Sequence, residues 1–99
     1  MIHALKIEPN YYEDIKSGDK SFEVRKNDRN FCTGDYIALN ELSDTRDEYT
    51  GRSILVKITS IVNDERFCKE GYIVMGLRKC FIMENGKTHT EVGRWERKI

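Results

Sequence analysis

Gly18-Asp19-Lys20-Ser21-Phe22-Glu23-Val24-Arg25-Lys26-Asn27-Asp28-Arg29-Asn30 is the stretch whose reading decides the fold. A glycine turn opens it, and an alternating segment follows. Phe22 and Val24 fall on one side, and Ser21, Glu23 and Arg25 on the other, because successive strand side chains point to opposite faces. The expected element is a short strand with an apolar back and an ionisable front. From Lys26 to Asn30 five polar residues run without an apolar interruption, which is the composition of a loop. The stretch thus gathers cations, carboxylates and amides, as a polar site for an anionic or richly hydrogen-bonding ligand requires.

On the amino side, Ile2 to Ile7 reads as a strand with His3, Leu5 and Ile7 on one face. His3, sharing a side with apolar residues, is expected to be semi-buried and hydrogen-bonded rather than a ligand. Pro9 suits the first position of a helix and Gly18 its left-handed stop, so a helix is expected over about Pro9 to Ser17. Tyr11, Tyr12 and Ile15 share one stripe of it and are expected in the core, base stacking being the alternative role for a tyrosine.

On the carboxyl side, Thr33-Gly34-Asp35 turns into a strand from Tyr36 to Leu42, and Ser43 to Gly51 has the composition of a hairpin loop. Ile54, Val56 and Ile58 mark one face of a long strand running to about Val62. Asn63 to Glu70 suggests a turn of helix. Ile73, Met75 and Leu77 mark a fifth strand from Gly71 through Cys80. Asn85-Gly86 then predicts a terminal hairpin, leaving Trp95 in a charged tail. About five strands at hairpin-like spacing with one N-terminal helix give a mainly β (α+β) small barrel, since closure removes exposed edges. Residues 1–80 would form the barrel and 81–99 a hairpin and tail packed on the same domain.

Composition agrees. Ninety-nine residues suit one domain. Ten Ile and five Val against two Ala favour strands. Charged residues make up 34% of the chain, above a typical ~25%, so the surface is heavily charged. The formal charge is zero, so any attraction for nucleic acid must be local. Five cations meet three carboxylates between Lys16 and Arg29, whereas Glu41 to Glu48 holds four carboxylates and one Arg. Three widely spaced cysteines without C-x-x-C argue for reduced thiols and a cytoplasmic location, not a disulfide framework or zinc site. No apolar run approaches a membrane span, and no signal-peptide core is present. Phosphate-loop, H-E-x-x-H and G-x-S-x-G signatures are absent.

Gly18, Lys20, Glu23 and Arg25 also fit the G-x-K-x-x-E-x-R pattern of the ASCH domain, a small β-barrel family of the PUA-like superfamily. Residues His3 to Asn30 resemble its small phage and bacterial members, with a looser likeness to about Leu77. The resemblance implies a cleft beside the first helix that receives RNA or a nucleotide-like ligand, with no cofactor. Lys6, Lys20, Glu23, Arg25, Lys26 and Asn27 are expected to line it, with Asp28 and Arg29 alongside. Arg25 would be the anchor, because its planar fork makes bidentate contacts that a lysine cannot.

Some ASCH proteins are amidohydrolases acting on acetylated cytidine nucleosides, which implies a catalytic lysine at Lys20. Their threonine nucleophile, however, is replaced here by Glu23, which has no hydroxyl to deprotonate. Ser21 lies two residues away, about 6–7 Å along a strand. A hydrolase or metal-free ribonuclease here would use Lys20 and Glu23. A third reading is a phage or mobile-element accessory protein that binds a protein partner through its C-terminal tail and Trp95.

Overall fold

Alternating burial defines the strands of the computed structural model, which describes residues 1–89. The elements run β1 (Ile2–Ile7), α1 (Pro9–Ser17), β2 (Phe22–Lys26), β3 (Tyr36–Leu42), β4 (Tyr49–Val62), β5 (Tyr72–Glu84) and β6 (Lys87–His89). They form one sheet in the order β1-β3-β4-β5-β2, with β6 also on β5. The β1–β3 pair is parallel and the others are antiparallel. This is the expected mostly β architecture, a half-barrel with a single short helix.

Every second residue of β1 is buried, and Leu5 and Ile7 meet Ile37, Leu39, Ile54, Val56, Ile58, Ile73, Met75 and Leu77 in one core. Two irregularities bend the long β4–β5 ladder. Thr59 is passed over where Ile58↔Leu77 gives way to Ser60↔Gly76, and Cys80 where Val56↔Lys79 gives way to Leu55↔Phe81. Each extra residue kinks its strand and increases local twist, which curls the sheet. The second also shifts the phase, so that both Lys79 and Ile82 face inward.

Helix α1 starts at Pro9 and stops at Gly18, whose φ of 89° is open to glycine at little cost. Tyr12 and Ile15 enter the core, whereas Tyr11 is exposed, contrary to a shared buried stripe. The two tyrosines are adjacent and therefore about 100° apart around the helix, so only one can point inward. β4 begins at Tyr49, inside the expected loop, and β5 continues past Cys80 to Glu84. Asn85 and Gly86, with φ of 53° and 74°, make the expected hairpin turn. Residues 64–68 form a single hydrogen-bonded turn between Asp64 and Cys68. His3 is buried with its Nε2 2.9 Å from Asp35 Oδ2, and Phe31 packs on its ring. The His3 hydrogen bond leads the effects that hold the Asp35 carboxyl below its usual range.

An ionic network joins α1 to the sheet. Arg52 donates to both oxygens of buried Glu41 at 2.8 and 2.7 Å and reaches Glu13 and Glu84. Glu84 also accepts from Tyr12 at 2.7 Å and Lys16 at 2.9 Å, while Thr50 donates to Glu41. Burial is the largest influence on both carboxyls and pushes them up. The donors and the neighbouring cations together outweigh it and hold both below the usual glutamate range. Burial, then Glu84, drives the Tyr12 phenol well above its ordinary value, so it stays a neutral donor.

With folded values below the unfolded ~4.3, these glutamates bind fewer protons in the native state. Their stabilisation is complete above that value and is lost as pH falls through the folded values. Urea denaturation across a pH series should show this acid loss. Arg52→Met should cost on the order of 3 kcal/mol at neutral pH, because it leaves buried Glu41 without its cation, and part of the cost should vanish towards pH 5.

Candidate functional site

The edge strands β1 and β2 are not joined by a ladder; arginine side chains span the seam between them. Arg25 Nη2 donates to the Lys6 carbonyl at 2.6 Å, and Arg29 Nη1 to the Ala4 carbonyl at 3.2 Å. Beside this seam, between the exposed side of α1 and β2, lies a cleft of about 690 Å³. Lys6, Glu23 and Arg25 line it from the strands and Lys20 from the turn after α1. Tyr11, Asp14 and Asp19 form the helix side, Phe22 adds a second aromatic ring, and Glu8 and Arg46 close one end.

Glu23 is the hub. It is 4% exposed, and its two oxygens accept separately from Lys20 Nζ at 2.9 Å and Arg25 Nε at 2.6 Å. Lys20 Nζ also lies 4.4 Å from the centre of the Tyr11 ring and 5.4 Å from that of Phe22. The Lys20 N–H donates to the Asp14 carbonyl at 2.9 Å, folding the turn after α1 back against its last turn. Arg46 pairs with Glu8 at 2.9 Å. Lys6 has no carboxylate partner among the described residues. One cation of the cleft is thus uncommitted, and the rings of Tyr11 and Phe22 stand roughly half exposed.

The expected site divides in two. Lys6, Lys20, Glu23 and Arg25 share the cleft; Lys26, Asn27, Asp28 and Arg29 lie outside it. Lys26 is exposed at the last position of β2, paired with Tyr72 on β5, and does not line the cleft. The Asn27 N–H donates to the Gly71 carbonyl, which ties the following bend to the β4–β5 loop, and Arg29 is committed to β1. The face of β2 that packs inward also differs from the simplest expectation for an apolar back. Phe22 and Val24 are exposed, and Glu23 is the buried residue, because paired cations neutralise it where core packing would otherwise be needed. Ser21 is exposed and does not line the cleft.

Nothing in the residue pattern signals Glu8 and Arg46, which meet from separate loops, or the contributions of Asp14 and Asp19 to the lining. Tyr11 had one: a second tyrosine beside a core tyrosine must face elsewhere. No group of three or more His, Cys, Asp or Glu side chains is placed to hold a metal ion among the described residues. Among them, too, no helix is long and apolar enough to cross a membrane. Cys32, Cys68 and Cys80 are unpaired. Trp95 and the tail around it lie outside the described residues.

Fold and site together define a small half-barrel protein with a mixed-charge, aromatic-flanked cleft beside its helix. The chain belongs to the family described as "Domain of unknown function (DUF3850)", which matches residues 2–77 and so contains every cleft residue. It is also similar to the "Uncharacterized 12.9 kDa protein in GpA 3'region" of Escherichia phage P2, at 34% identity over 62 residues. That match covers 63% of this chain and 55% of the phage protein, so the chain spans little more than half the length of its relative.

Removing the hub leaves two cations facing each other. Glu23→Ala should therefore destabilise the fold by about 1–3 kcal/mol, and Glu23→Gln by less, since the amide oxygen still accepts one bond. Chemical denaturation of the two variants beside the parent checks the order.

Proposed function

We propose that this protein is a nucleic-acid-binding module of the ASCH/PUA-like kind, taking single-stranded RNA or a nucleotide-like ligand in the cleft beside α1. The observation that carries the reading is the coupling, in one open concavity, of exposed Tyr11 and Phe22 with Lys20, Arg25 and the unpaired Lys6. Aromatic rings offer stacking platforms to unpaired bases, and cations beside them take the phosphates. Arg25 spends Nε on Glu23 and Nη2 on Lys6, which fixes its plane and leaves Nη1 for a ligand oxygen. Reduced thiols fit work in the cytoplasm.

A second reading, a small hydrolase, is favoured by one contact: Lys20 Nζ lies 2.9 Å from Glu23 at the cleft wall. It requires one of these groups to be released, since both Glu23 oxygens are engaged by cations in this state. Turnover of acetylated nucleosides or RNA that disappears in Lys20→Ala would establish it. The binding reading predicts no product from either.

Fluorescence anisotropy with a short labelled single-stranded RNA provides the test. Affinity should fall with salt, with a log–log slope of about −1.4 for two phosphates. Tyr11→Ala should weaken binding by about 1–3 kcal/mol if a base stacks there. Lys6→Ala should flatten the slope without changing the melting temperature. No binding at low salt, or binding indifferent to both substitutions, would refute the proposal.

A further inference from the structure

We infer that the cleft selects nucleobases carrying an exocyclic amine over those carrying a carbonyl at that position, and that Asp14 and Asp19 make the selection. The inference rests on the nucleotide reading of the same cleft and adds to it the class of base.

The lining offers two kinds of chemistry. Lys6 and Arg25 line the cleft from the strands, Asp14 from α1, and Asp19 and Lys20 from the turn after it. The strand-side carboxylate, Glu23, has both oxygens engaged by cations, and Glu8 is paired with Arg46. Asp14 and Asp19 have no hydrogen-bond or ion-pair partner for their carboxylates among the described residues. The cleft therefore has cations to receive a phosphate and, in the same lining, two uncommitted acceptors.

A base resting on Tyr11 would reach those acceptors. Tyr11 and Asp14 are three residues apart on α1, neighbours on one face with about 5–6 Å between Cβ atoms. The bonds of Ser17 Oγ and Lys20 N–H to the Asp14 carbonyl, at 3.1 and 2.9 Å, curl the following turn back so that Asp19 joins the same wall. An ionised carboxylate accepts hydrogen bonds and donates none. It rewards the amino group of adenine or cytosine, and it opposes the carbonyl oxygen that replaces this group in hypoxanthine or uracil.

The test is calorimetric titration of the full chain, at low salt, with two isosteric pairs: AMP against IMP, and CMP against UMP. The amine-bearing member of each pair should bind about tenfold more tightly. In the D14N/D19N variant the ratio should collapse to within about twofold, because an amide can turn to donate to a carbonyl as well as accept from an amine. Both aspartates are exposed, and an unchanged melting temperature confirms that the variant is folded. Equal affinity within both pairs would overturn the inference and leave the nucleotide reading standing. Selection that survives in D14N/D19N would overturn the assignment to these residues. Failure of all four nucleotides and of single-stranded RNA to bind would overturn the reading itself.

Discussion

Glu23 is the constraint on which the open side of the molecule depends. A carboxylate taken out of water at a sheet edge must be compensated, and here each of its oxygens accepts from a different cation. Arg25, held through Nε, is thereby aimed so that Nη2 reaches the Lys6 carbonyl across the seam. Lys20, held through Nζ, is kept under Tyr11 and beside Phe22. One buried charge thus positions an edge-spanning guanidinium and an aromatic-flanked ammonium, and the space between them is the cleft.

This explains why the half-barrel tolerates an incomplete ladder. Unpaired strand edges expose backbone carbonyls, and a barrel normally removes them by closing. Here Arg25 and Arg29 satisfy two of the β1 carbonyls from the opposite edge, so the seam is bridged by side chains. Side chains can exchange partners more readily than a ladder can. The helix is fastened more firmly, with Tyr12 and Lys16 on Glu84 and Lys79 Nζ on the Lys16 carbonyl. The wall that carries Tyr11 and Asp14 is therefore anchored from behind by buried contacts.

Much of this was legible residue by residue. The alternation of Leu5 and Ile7, of Ile54, Val56 and Ile58, and of Ile73, Met75 and Leu77 located three core strands, and Pro9 and Gly18 marked the helix ends. Asn85-Gly86 located the last hairpin. Four cleft residues, Lys6, Lys20, Glu23 and Arg25, were legible because they cluster in sequence or flank the helix. Lys26 and Asn27 were placed with them by proximity along the chain, although Lys26 ends β2 beyond the cleft and the Asn27 backbone is tied to Gly71. Arg52, Glu41 and Glu84 gave no warning of their network, since each comes from a different strand and only the irregular β3–β4 register brings Thr50 and Arg52 onto Glu41.

What the sequence determined alone was local: strand period, helix limits, turn chemistry and the presence of a dense polar segment after Gly18. These depend on backbone preferences and nearest neighbours, which a chain carries wherever it folds. Tertiary structure alone decided which side of β2 faces inward. Apolar Phe22 and Val24 are outside and charged Glu23 is inside, because two cations from the turn and the same strand converge on that carboxylate. An alternating pattern distinguishes two faces but does not say which will be buried when the polar one can neutralise itself.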